Sequence, residues 1–204
     1  MINHKLKFLY THYPKCAGTV VRQHLIENYS SGIDHEIEKV QYRHCSLTTT
    51  LDRLYDLNKE PRDYYMFSFC RNPWDLCVSY YFFMRDKMPK HLERIGKPQN
   101  IITKFCMQNS FSDFVTSDFC TSSYDKIYTY NGQFLIDFVI RQENLNDDFN
   151  HVCDVINIPR VDLPIVNSTE HDDYRTYYTL KTVRVVEDKF KREIEKFNYD
   201  YTQY

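Results

Sequence analysis

The sequence predicts an α/β fold, a P-loop-like three-layer αβα domain spanning residues 1–204 around a central, mostly parallel sheet. Three observations predict it. Runs of strand chemistry at 6–13 (LKFLYTHY), 64–70 (YYMFSFC) and 134–141 (FLIDFVIR) alternate with stretches whose apolar residues recur at helical spacing. The first run leads into Pro14-Lys15-Cys16-Ala17-Gly18-Thr19, small residues where a backbone must approach a ligand, and then into a helix. With 204 residues and 16% aromatics against only 4 glycines, the chain has the composition of one well-buried domain rather than a disordered one.

The elements follow in order. Val20, Val21, Leu25 and Ile26 mark one face of the first helix. Residues 30–41 are polar and read as loop with a short helix. Ser46-Leu47-Thr48-Thr49-Thr50 is a capping cluster before a helix through Leu51, Leu54, Tyr55 and Leu57, which Pro61 closes. After the second strand, Asn72 is a good N-cap and Pro73 suits the first helical position, so a helix runs from about 74 to 86. Residues 87–109 are mixed and polar, with short helices around 101–107 and 111–117. Asn131-Gly132 signals a turn before the third strand. Apolar residues at 145, 149, 152, 155, 156 and 158 make an amphipathic helix within 143–158. A loop over 159–169 and a short helix over 172–178 precede a last helix over 180–197, capped by Thr179.

Charge and cysteine usage exclude several classes. A net charge of −2 gives no basic footprint, so nucleic acid is not an expected partner. Seven cysteines, an odd number with no C-x-x-C pair, point to reduced thiols. No charged stretch followed by an apolar one opens the chain, and no run of about eighteen apolar residues occurs, so the expectation is a cytoplasmic protein without stable membrane insertion.

The 14–19 segment has the chemistry of a phosphate loop. N–H groups at a helix start lie at the positive end of its dipole, Thr19 adds a hydroxyl and Lys15 a full charge. A Walker loop places its lysine after the glycine; here Lys15 precedes Gly18, and no acidic magnesium partner is evident. A surface lysine in an ordinary βα turn satisfies the same pattern, so this stretch does not decide by itself. Arg71 stands at the carboxyl end of a strand, where open α/β sheets bind ligands, and Ser79 lies two turns into the next helix. Singly, they also read as a salt-bridging arginine and a small buried serine.

Together the pieces are specific. Tyr13-Pro-Lys-Cys-Ala-Gly-Thr19 and Arg71-Asn-Pro-Trp-Asp-Leu-Cys-Val-Ser79 resemble the sulfotransferases, in particular the group with carbohydrate and heparan-type enzymes and many bacterial relatives. Phe138-Val-Ile-Arg-Gln-Glu-Asn-Leu145 is similar to the family's R-x-E-N-L segment, and Asn167-Ser-Thr before a tyrosine-rich stretch continues the likeness. The resemblance implies 3′-phosphoadenosine 5′-phosphosulfate (PAPS) as donor, 3′-phosphoadenosine 5′-phosphate (PAP) as product, and no metal. Lys15, Cys16, Ala17, Gly18, Thr19 and Val20 would hold the 5′-phosphosulfate, and Arg71 and Ser79 the 3′-phosphate. Lys15 would also stabilise charge on the leaving phosphate, and an acceptor hydroxyl, on a glycan, a glycolipid or another small molecule, would receive the sulfuryl group.

His44 is the first candidate for the base that activates the acceptor, since Arg43-His-Cys-Ser-Leu-Thr resembles the place where glycan sulfotransferases carry a catalytic histidine and its ordinary pKa suits proton abstraction. A capping or surface histidine is the plain alternative. His12 is second, because H-x-P-K recurs in the family, and Glu143 is third; His24 and His171 read as helix and loop surface. Trp74 or a tyrosine among Tyr174, Tyr177 and Tyr178 could stack on adenine, and residues 87–130 are expected to shape the acceptor pocket. Asn167-Ser168-Thr169 fits a glycosylation acceptor but reads as a loop over the nucleotide. Cys16 and Leu76 depart from the family pattern, Leu76 standing where many relatives have a second arginine. Two rivals predict different behaviour: a kinase-like P-loop phosphotransferase needs magnesium and a Walker loop, and a noncatalytic adenosine-bisphosphate-binding protein binds and transfers nothing.

Overall fold

A computed structural model describes residues 1–38, 45–164 and 171–202. In chain order its strands and α-helices are β1 (Ile2–Asn3), β2 (Phe8–Tyr10), α1 (Gly18–Tyr29), α2 (Leu47–Asp56), β3 (Tyr65–Cys70), α3 (Pro73–Phe82), α4 (Met88–Arg94), α5 (Ile101–Gln108), α6 (Phe111–Thr116), α7 (Tyr124–Tyr128), β4 (Thr129–Tyr130), β5 (Gln133–Phe134), β6 (Phe138–Arg141), α8 (Leu145–Val155), α9 (Leu180–Lys189) and α10 (Lys191–Phe197). The chain is a mixed α/β protein divided into two compact units, Met1–Arg71 with Ser123–Val166, and Asn72–Ser122 with Asn167–Tyr204.

The first unit holds a four-stranded sheet in the order β1-β2-β3-β6. β2, β3 and β6 are parallel, and β1 pairs antiparallel with β2. Phe8, Leu9, Tyr10, Phe67, Phe69 and Ile140 are buried, which is why these strands read as near-continuous apolar runs rather than alternating ones. Each such side chain contributes about 1.5–3 kcal/mol on burial. Val21 and Leu25 of α1, Leu51 and Leu54 of α2, and Phe149 and Val152 of α8 complete the apolar interior.

Local chemistry shortens the expected strands. The 6–13 run keeps strand geometry only at 8–10, because the Asn3 side chain accepts from the N–H groups of Lys5 and Leu6 and Lys7 turns through a left-handed φ of 55°. The 134–141 run is split. Phe134 joins a hairpin across Asn131-Gly132, both with positive φ as a two-residue turn needs. Asp137 then clips to Met66 through side chain and backbone (2.7 and 2.8 Å), and strand pairing resumes at Phe138. With few glycines available, Asn58 and Asn157 supply the left-handed residue after α2 and α8.

The second unit is helical. Asn72 caps α3 by accepting from Trp74 and Asp75, and Pro73 is its first residue. The helix expected to stop near 86 instead continues through a π turn, Phe83–Lys87, into α4. The wider turn carries the chain past Pro89, which has no N–H to give. Tyr81, Phe82, Phe111 and Phe114 form its aromatic interior. The single last helix expected over 180–197 is two: Phe190, buried at φ −112°, separates α9 from α10. Before that break, Lys189 donates from Nζ to the Val115 and Ser117 carbonyls at the end of α6 (2.9 and 2.6 Å). Among the described residues, no helix is long and apolar enough to cross a membrane.

Candidate functional site

Three parallel strands of the first unit end on one edge of the sheet. Phe8 to Tyr10 align with Tyr65 to Phe67, and Cys70 pairs in register with Arg141. That edge therefore gathers the 11–18 segment after β2, Arg71 after β3, and the 3₁₀ turn Gln142–Asn144 after β6. Lys15, Arg71 and Arg141 bring positive charge to it, and Glu143 is the acid of the 3₁₀ turn.

Residues 11–13 are pinned. The Thr11 hydroxyl shares its one proton between the Ile127 carbonyl (2.9 Å) and Ser68 Oγ (3.0 Å), the Ser68 hydroxyl donates to the Thr11 carbonyl (3.1 Å), and the Thr11 N–H reaches the Phe67 carbonyl (3.2 Å). The Tyr13 hydroxyl accepts from the Ser123 N–H at 3.1 Å. Sequence reading missed the Thr11–Ser68 pair, although two small hydroxyl residues inside otherwise aromatic strands were its signal.

The loop then alternates in backbone handedness. Lys15 and Ala17 have positive φ (68° and 61°), whereas Pro14, Cys16 and Gly18 do not. Alternation of this kind can turn N–H groups toward one concave side, an anion-binding arrangement, although the Cys16 N–H is engaged by the Tyr13 carbonyl at 3.4 Å. Ala17 is the N-cap of α1 and gives no side-chain cap, and the first turn holds no acidic residue. By contrast, Ser46, Asn72, Asn100, Ser110 and Thr179 cap their helices with side chains. α1 thus begins without a side-chain cap, as α4, α7, α8 and α10 also do.

The expected site residues divide. Lys15 is half-buried and Thr19 exposed. Cys16 is fully buried, its thiol toward the Pro14 carbonyl at 3.7 Å, so its side chain faces the protein. The Val20 N–H donates to the Ala17 carbonyl (3.2 Å), which leaves Gly18 and Thr19 as the first-turn amides of interest. Gly18 is buried against His12. Arg71 joins this group, donating from Nη1 to the Lys15 carbonyl at 3.0 Å. Ser79 lies on α3 of the second unit and is 2% exposed. His44 and Asn167-Ser168-Thr169 fall outside the described residues.

Of the other candidates, His12 is buried beneath the loop rather than presented at its surface. Glu143 is half-buried in the 3₁₀ turn. His24 is not a plain surface residue: its ring meets Phe149 edge-on at 6.0 Å, and burial lowers its pKa. Trp74 donates to the Val183 carbonyl (3.2 Å), and Tyr178 donates to that of Trp74 (2.9 Å), so both are engaged within the second unit. Among the described residues, no group of three or more His, Cys, Asp or Glu is placed to hold a metal ion.

A family model described as the sulfotransferase family matches residues 1–200. Neither a curated protein nor a solved structure matches the chain at a significant level.

Proposed function

The chain belongs to the sulfotransferase family, and from that premise we propose that it moves a sulfuryl group from PAPS to an acceptor hydroxyl, with PAP as product. The observation that carries this reading is the 14–18 loop: alternating handedness, an uncapped helix start, and Arg71 reaching its backbone. A donor with a phosphate at each end fits that set, because the loop supplies amide donors and Arg71 a planar fork on the neighbouring strand.

The bound donor supplies an activated sulfuryl group on a phosphate leaving group. Lys15, with the Gly18 and Thr19 amides and the Thr19 hydroxyl, would hold the 5′ end and stabilise charge developing there. Arg71 would hold the 3′-phosphate, and the sequence motif adds Ser79 as a hydroxyl donor to it. His44 is proposed as the base on its sequence context, with His12 demoted by its burial. A carbohydrate or glycolipid hydroxyl as acceptor, a P-loop-like layering, one functional domain over 1–204 and a cytoplasmic setting complete the proposal. The match over residues 1–200 supports the single domain, and an odd cysteine count with no C-x-x-C pair supports a reducing compartment.

The test is calorimetric titration of the folded protein with PAP in EDTA, followed by turnover of PAPS with candidate acceptors. Metal-free binding and sulfated product support the reading. Binding that needs magnesium would move the assignment to a kinase-like phosphotransferase, and binding with no transfer to any acceptor would favour a noncatalytic nucleotide binder.

A further inference from the structure

Gly18 opens α1 with a negative φ, so its backbone does not require glycine. Its surroundings are what crowd a side chain. A Cβ at residue 18 would lie 3.0 Å from His12 Cδ2, 3.1 Å from Nε2 and 3.3 Å from Cγ. These contacts are tighter than ordinary ones, so the imidazole would have to give by a few tenths of an ångström to admit any other residue. Whether such a clash matters depends on whether the ring can retreat.

Retreat is obstructed. His12 is 7% exposed, and the chain on each side of it is tied down. Thr11 bonds to Ser68, Ile127 and Phe67, and Tyr13 receives the Ser123 N–H. The ring also meets that of Phe69 at a centroid distance of 6.4 Å. The imidazole is therefore a fixed spacer between the end of β2 and the start of α1. The strained part of the loop, Lys15 to Ala17, spans the interval it sets.

We propose that His12 is a positioning residue for the donor loop, acting through Gly18: its imidazole fixes how closely α1 approaches β2 and so holds the Gly18 and Thr19 amides in place for the anion. This rests on the donor reading above and gives the buried histidine a steric role distinct from that of a base. Glycine at 18 follows as the complement of the ring.

A double-mutant cycle tests it, with PAP affinity by calorimetry in EDTA and thermal unfolding recorded for wild type, Gly18→Ala, His12→Ala and the pair. Gly18→Ala is expected to weaken PAP binding at least roughly tenfold in the wild-type background and by less than about threefold when His12→Ala has emptied the space. His12→Ala alone should weaken binding several-fold and lower the melting temperature through the space left by the buried ring. Equal costs of Gly18→Ala in both backgrounds, or no cost in either, overturn the spacer role while wild-type binding keeps the donor reading intact. No PAP binding by the folded wild type overturns both. If Gly18→Ala folds only together with His12→Ala the spacer role is supported, and if it folds in neither background the role is overturned.

Discussion

The Arg71 guanidinium donates to the backbone carbonyl of Lys15 at 3.0 Å, tying the residue after β3 to the most strained part of the loop after β2. A hydrogen bond from a charged donor contributes about 1.5–3 kcal/mol. The planar guanidinium carries five N–H donors in all. One residue therefore shapes the loop and offers charge at the same edge. Arg71→Lys keeps the charge and loses the fork, so PAP affinity should fall roughly 10- to 100-fold, as expected for losing a bond of this kind. Arg71→Ala should fall further. Titration of both variants decides it: recovery of wild-type affinity by lysine would mean that charge alone matters.

Much of the local structure around these residues was legible because it depends on local rules. Small residues at 16–18, proline before lysine, and Asn72-Pro73 before a helix each act within a few residues of chain. Thr179 was legible as a cap for the same reason, and its hydroxyl accepts from the Thr182 N–H. What was not legible depends on partners distant in sequence. β1 is two residues long and exists because it pairs with β2. The 134–141 run broke at Asp137, whose carboxylate found Met66. The break at Phe190 and the spacing of His12 against Gly18 were likewise invisible to periodicity.

Thiol chemistry should single out one cysteine. Cys16, Cys70, Cys77, Cys106, Cys120 and Cys153 are buried, and Cys45 is only half-buried. Burial pushes the thiols of Cys106 and Cys153 up to about 11, leaving little thiolate at neutral pH. A disulfide reagent at pH 7 should therefore modify a single thiol quickly, and Cys45→Ser should abolish that fast phase. Two or more fast thiols in the variant would show that the buried set is open to reagent.

Asp34 should make folding sensitive to acid. Burial opposes its ionisation, yet the Arg53 guanidinium (2.8 and 3.3 Å) and the Glu36 N–H (3.0 Å) hold its carboxyl below the usual range. With the folded pKa depressed, this stabilisation is present above the ordinary carboxylate range and lost as pH falls through the folded value. Arg53→Ala should cost about 1–2 kcal/mol at pH 7, since the arginine is partly exposed, and progressively less toward pH 3. Denaturant unfolding at both pH values checks the sign. A cost that does not shrink with acid would mean the pair contributes by packing rather than charge.

The left-handed backbone at Lys15 and Ala17 predicts opposite responses to glycine in stability and in turnover. A side chain held in that region costs roughly 1–2 kcal/mol. Glycine removes this strain but adds about 0.4–1 kcal/mol of unfolded-state entropy. Ala17→Gly should therefore raise stability by a net ~0.5–1 kcal/mol and leave turnover within a few-fold, because the alanine methyl has no assigned role. Lys15→Gly should relieve the same strain yet lower kcat by about 10²–10³, the usual effect of removing one group that stabilises transition-state charge. Melting temperature and sulfuryl-transfer rate measured on the two variants separate strain from charge. A Lys15→Gly protein with near-wild-type kcat would remove lysine from the chemistry and leave the loop to its amides alone.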